Sequence, residues 1–133
     1  MDRHAVTSFL HNDERILLLK RSDEVSSYQG KWAGISGSLE GSESPLMAAY
    51  REIKEETGIG PDDLKFLGSG ELIRVPYTDF TWVVHPMIFK CSSRMVQLNW
   101  ENTEYRWVTK DEISVFDAVP GLLDALLGLL HFL

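Results

Sequence analysis

One stretch limits what this chain can become more than any other: Gly37 to Ile59, GSLEGSESPLMAAYREIKEETGI. It contains a helix whose two ends are written into the residues. Ser44 suits an N-cap, where its side-chain oxygen takes up an unpaired N–H of the first turn. Pro45 follows at the position where a missing N–H costs nothing. Gly58 offers a left-handed C-cap, and Gly60-Pro61 forbids continuation. Between these ends Leu46, Ala49, Tyr50, Ile53 and Thr57 fall on an arc of roughly 100°. Glu52, Glu55 and Glu56 take the adjoining arc, leaving Met47 and Lys54 toward solvent. The spacing of three and four residues in REIKEE stacks the three carboxylates on one face. Acids held that way repel one another unless a cation sits among them, and hard oxygen ligands suit Mg²⁺ or Mn²⁺. The stretch therefore reads as a metal-holding helix, one side packed on a sheet and the next facing a cleft.

The flanking chain is rich in strands. Ala5 to Leu10 and Arg15 to Lys20 read as a pair joined by a polar turn, His11-Asn12-Asp13-Glu14. Ser22 to Gly30 is a loop, and Lys31 to Ser36 is a short extended segment carrying Trp32 and Ile35 toward Gly37. Leu64 to Val75 and Thr81 to Cys91 are strand-like, with a hairpin loop from Pro76 to Asp79. Met95 to Leu98 and Tyr105 to Val108 are shorter strands around a loop, Asn99 to Thr103. Thr109 to Glu112 begins a short helix, and Pro120 opens a last helix through Leu130. Strands on both sides of one central helix, with a second helix at the end, imply an α+β sandwich.

With 133 residues, the expectation is a single domain over positions 1–133. A net charge of −7 argues against duplex nucleic acid as a partner, which needs a basic face. It leaves phosphate substrates open, because a bound divalent ion reverses the field locally. Cys91 is the sole cysteine, so no internal disulfide forms and a reducing compartment is expected. No signal peptide is evident at the start. The closing LLDALLGLLHFL is too short for a membrane span, which needs roughly 20 residues. It is expected to dock on the core or to form a homodimer contact. Cytoplasmic location and no membrane partner follow as expectations.

The residues Gly37, Glu43, Arg51, Glu52, Ile53, Glu55, Glu56, Gly58 and Ile59 together resemble the Nudix box, with every position of the motif met. The resemblance implies the family's α/β/α sandwich with a mixed central sheet. It implies metal-dependent hydrolysis of a nucleoside diphosphate linked to another moiety: a nucleoside triphosphate, a nucleotide-sugar such as ADP-ribose, or a dinucleoside polyphosphate. By the same resemblance Glu52 and Glu56 are the principal metal ligands, and Glu55 is a further ligand or holds a metal-bound water. The backbone carbonyl of Ser36 also reaches the metal, and Arg51 pairs with Glu43 to fix the helix against its loop. Gly37, Glu43 and Gly58 are structural within the box. Many members carry Pro-Gly ahead of the box glycine, where this chain has Ile35-Ser36. LNWENTEYRWV at Leu98 to Val108, with VPGL at Val119 to Leu122, is similar to Nudix domains fused ahead of a domain like the regulatory subunits of a translation-initiation exchange factor.

Cleavage of a pyrophosphate by water needs neutralised phosphate oxygens, an available nucleophile and a carboxylate that can take the proton. Glu101 and Glu104 lie where family members often supply that carboxylate, and the choice between them stays open. Trp32, Tyr77, Phe80, Trp82 and Trp100 are candidates for stacking a nucleobase, against the ordinary reading of large aromatics as core. Arg21, Lys31, Arg74 and Arg94 are candidates for phosphate, against ordinary surface pairing. His85 is expected to be a packed histidine and Cys91 to be inert. Pro76 and Tyr77, side by side, match the features of two different substrate classes and select neither. The competing reading is a Nudix-fold module that holds a nucleotide without cleaving it.

Overall fold

The computed structural model describes residues 1–133. Strand β1 (Asp2–Asn12) turns through Asp13 and Glu14 into β2 (Arg15–Arg21). Both turn residues have positive φ, 49° and 64°, the twist that a two-residue hairpin loop requires. β3 (Trp32–Ala33) and β4 (Ile35–Ser38) precede helix α1 (Pro45–Thr57). Then come β5 (Leu64–Ser69), β6 (Ile73–Pro76), β7 (Thr81–Cys91), β8 (Asn102–Val108) and helix α2 (Leu122–Leu127). The eight strands form one mixed sheet with the order β3-β2-β1-β7-β5; β4 pairs with β1, β6 with β7 and β8 with β2. β1 runs parallel to β7 from Asp2↔Thr81 to His11↔Lys90, which is why both strands are long.

Alternation along the strands divides the core in two. Val6, Leu10, Leu17, Leu19, Met87 and Phe89 point to one face and meet Ala48, Ala49 and Ile53 of α1. Phe9, Ile16, Leu18, Ile88 and Val108 point to the other and meet Leu122, Ala125, Leu126 and Leu129. The chain's closing segment is thus the second outer layer of an α/β/α sandwich. Each leucine buried there contributes about 1.5–3 kcal/mol. Leu123 and Leu127 stay exposed on its outer side.

α1 begins and ends as its residues dictate. The Met47 N–H donates to the Ser44 side chain, and Gly58 adopts a φ of 76° with its N–H donating to the Lys54 carbonyl. Ala48 joins Ala49 in full burial, so the helix lies close on the sheet.

Four expectations about elements need correction. Leu64 to Val75 is two strands rather than one. The break at 70–72 lies opposite Pro86, which has no N–H for the ladder; only its carbonyl is used, accepting from the Gly70 N–H at 3.0 Å. Met95 to Leu98 is not a strand. It crosses the end of α1, where the Gln97 N–H donates to the Thr57 carbonyl that the helix leaves unpaired, at 2.9 Å. β8 begins at Asn102, not Tyr105, because a bulge opposite Lys20 and Arg21 lets its pairing continue. The last helix is α2 alone, started by Gly121 at a φ of 82° and followed by a 3-10 turn, Leu130–Phe132.

Candidate active site

Glu52 and Glu56 are on the buried side of α1, 6% and 3% exposed. Gly37 explains how Glu52 fits: a Cβ added to Gly37 would fall inside the Glu52 carboxylate. Ser36, next to it on β4, pairs with Thr7 of β1, and the two hydroxyls are 3.1 Å apart.

Arg51 stands between two groups of acids. Its Nε and one terminal nitrogen donate to both oxygens of Glu43, at 2.8 and 2.9 Å, in the fork-to-fork arrangement that makes such pairs strong. It also donates to the Ser38 carbonyl at 3.0 Å, so the loop from Ser38 to Glu43 is pinned to the helix. Its remaining nitrogen meets Glu52 Oε1 at 2.6 Å and reaches Glu55 at 3.5 Å. The hydrogen bond from Arg51 holds the Glu43 carboxyl at a pKa of about 2. The same bond raises the Arg51 guanidinium above its ordinary value.

The other acids are in the opposite condition. One oxygen each from Glu52, Glu55 and Glu101 lie within 4.8 Å of one another. Burial raises the Glu52 pKa. Burial pushes Glu56 well up too, followed by the charges of Glu101 and Glu52. Asn102 donates to Glu56 Oε1 at 3.1 Å, while Glu56 Oε2 is buried with no hydrogen-bond partner. Converging carboxylates, one with an orphaned oxygen, are a donor set that fits a hard divalent cation.

Of the two glutamates considered beyond the helix, Glu101 joins this cluster and Glu104 does not. Glu104 pairs with Lys20 at 3.4 Å on the α2 side of the sheet. Glu101 is held by Asn99, which donates to its carboxylate at 3.2 Å and accepts from its N–H at 3.0 Å. Its carbonyl accepts from the Ser22 N–H at 2.8 Å. Asn99 and Asn102 carry no signal of their own in the sequence beyond their place beside two acids in the mostly polar stretch Asn99 to Glu104.

The remaining candidates are dispersed. Trp32 is in the second core layer, edge-on to Phe116. Tyr77, Phe80 and Trp82 contact one another around the β6–β7 turn, with Arg3 over Phe80. Trp100, 61% exposed, is the aromatic adjoining Glu101 in the chain. Arg21 donates to the Ser27 carbonyl, Lys31 pairs with Asp117, Arg74 with Asp2 and Arg94 with Asn12. His85 contacts His4 at 2.9 Å, and the buried Cys91 thiol donates to the Ser93 carbonyl. A hollow of about 440 Å³, lined by residues between Ile113 and Asp124, contains none of the clustered acids.

Comparison with known proteins adds an independent line. The model of the NUDIX domain family matches residues 1–126. Nucleoside triphosphatase NudI of Escherichia coli is 29% identical over 124 residues, covering 86% of this chain and 87% of that protein. An RNA pyrophosphohydrolase of Halorhodospira halophila is 39% identical over 59 residues, which are 44% of this chain and only 30% of that protein. Among solved structures, the MutT protein of Methanosarcina mazei superposes with a TM-score of 0.79 at 24% identity, covering 98% of this chain and 92% of that one. An Ap4A hydrolase of C. elegans superposes at 0.77 and 19% identity, covering 98% and 96%. At these identities the structural likeness is one of fold.

Proposed function

Because this chain belongs to the NUDIX family, we propose that it is a divalent-metal-dependent hydrolase. It cleaves a phosphoanhydride in a nucleoside diphosphate linked to a further group. The observation that carries this reading is the convergence of Glu52, Glu55 and Glu101, with the charges of Glu52 and Glu101 felt by buried Glu56, whose Oε2 has no donor. In this reading Glu52, Glu55 and Glu56, with the Ser36 carbonyl, hold Mg²⁺ or Mn²⁺. A bound ion of that kind neutralises phosphate oxygens and makes water nucleophilic near neutral pH.

The chain's own groups do the rest. Arg51, fixed by Glu43, orients Glu52 through the 2.6 Å contact. Glu101 is the general base. Water attacks phosphorus, its proton passes to a Glu101 carboxylate oxygen, and the bridging P–O bond breaks with the leaving phosphate taking the electron pair. Two anchors, Asn99 on one carboxylate oxygen and Ser22 on the carbonyl, keep that group at the edge of the cluster. Glu104 has no part in the reaction.

The whole chain acts as one domain in the cytoplasm, on small nucleotides rather than on duplex nucleic acid or membranes. The net charge of −7 supports the first exclusion. No helix is long and apolar enough to cross a membrane. Exposed Leu123 and Leu127 offer a contact for a homodimer, and a monomer in sedimentation at high concentration removes that part.

The test is a panel of nucleoside triphosphates, ADP-ribose, dinucleoside polyphosphates and capped RNA, incubated with Mg²⁺ or Mn²⁺. Release of phosphate, pyrophosphate or a nucleoside monophosphate that stops on chelation is the expected result. Tight nucleotide binding with no product after long incubation would overturn hydrolysis in favour of a binding module.

A further inference from the structure

We infer that Asn102 is a positioning residue for Glu56, fixing which carboxylate oxygen is left free for the cation. This rests on the metal-site reading above and assigns a role to a residue outside the Nudix box. The argument begins with strand parity. β2 and β8 pair in register from Ile16↔Val108 to Lys20↔Glu104, and the next pair is Arg21↔Asn102. Thr103 is therefore the extra residue of a bulge, and side chains on its two sides change face. Glu104 shares the face of Leu18 and Val108, which belong to the α2 side of the core. In an unbroken strand Asn102, two residues away, would share it. The bulge instead sets Asn102 on the α1 side, where it is 7% exposed and donates through Nδ2 to Glu56 Oε1 at 3.1 Å.

The donor is also held in place from its N-terminal side. The Ser22 N–H bonds the Glu101 carbonyl, and Asn99 brackets Glu101, so the turn that leads into the bulge is tied down. A residue serving only to satisfy a buried acid would be expected alongside a second donor for the other oxygen. Here one oxygen accepts from a side-chain amide, while the other has no donor and its carboxyl neighbour is Glu52. One neutral donor on one oxygen fixes the rotation of the carboxylate and leaves its partner for a ligand. Groups that orient metal-binding carboxylates in this way typically affect metal affinity 10–100-fold.

Mn²⁺ binding, followed by the paramagnetic resonance of the free ion, tests the assignment with no turnover involved. Wild type, N102A, N102L, E56Q and the double variant N102A/E56Q are titrated, and thermal melts are recorded for each. N102L keeps the branched outline of the side chain and removes its amide, donor and acceptor alike. The expected result is a fall of about tenfold or more in Mn²⁺ affinity for N102A and N102L. In the E56Q background the same change should alter affinity less than about twofold, because the effect acts through Glu56. Unchanged affinity in folded N102A and N102L overturns the inference. So does an equal loss in the E56Q background, or failure of both single variants to fold, which would make Asn102 structural. No Mn²⁺ binding by wild type at all overturns the metal-site reading itself, a result distinct from the others.

Discussion

Glu43 and Glu56 belong to the same loop–helix unit, yet they are opposites. Glu43 gives both oxygens to Arg51, and its pKa is held at about 2. Glu56 has one neutral donor, one orphaned oxygen and acidic neighbours, and its pKa is pushed well up by burial. One acid is complete within the protein; the other is complete only with something added. In the proposed reading that difference separates holding the helix from binding the ion, although both residues belong to one motif. It also assigns Arg51 to the first task chiefly, since its shortest contact to the cluster reaches a single oxygen of Glu52.

The contrast can be broken most sharply at Glu56. E56Q should lower turnover by roughly two orders of magnitude or more, because a ligand of the ion that activates water is lost. Its ion-free melting temperature at neutral pH should equal or exceed that of wild type, because a buried charge is removed. A marked loss of stability instead would mean that Glu56 is structural, like Glu43. Next in size, E101Q should lower turnover on the order of 10²-fold, whereas E104Q should remain within about twofold, its partner being a surface lysine. Equal effects in steady-state kinetics would sink the distinction between the two glutamates. Saturating Mg²⁺ at a hundredfold excess over its Kd should stabilise wild type by about 2.7 kcal/mol, and E56Q by clearly less, measured by calorimetry.

The smallest expected effect concerns Glu43. A carboxylate whose folded pKa is about 2, against an ordinary 4.5, stabilises the fold above the ordinary value. That contribution is lost as pH falls through the interval between them. E43Q should melt below wild type at neutral pH, and the two melting curves should converge as pH drops from 4.5 toward 2. A gap that stays constant with pH would show that packing, not charge, is what Glu43 supplies.

Much of this was legible in the residues because it is local. The N-cap at Ser44, Pro45 at the first helical position and the left-handed Gly58 are each decided within a few positions of chain, and α1 has those ends. The stacking of Glu52, Glu55 and Glu56 follows from helical spacing alone. What escaped was set by distant partners. The break between β5 and β6 depends on Pro86 in another strand, and the irregular path of Met95 to Leu98 depends on an unpaired carbonyl at the end of α1. Glu101 and Glu104 are equivalent on paper, and a bulge paired across from Lys20 and Arg21 separates them.

By itself, then, the sequence determined a capped acidic helix behind a glycine loop, and through its complete box the resemblance to the family. Tertiary structure alone decided how charged each acid can remain, which loop glutamate completes the group, and that Asn102 faces Glu56. The reason is physical: spacing along a helix is set by the backbone, but burial and strand parity are properties of whatever packs across from it.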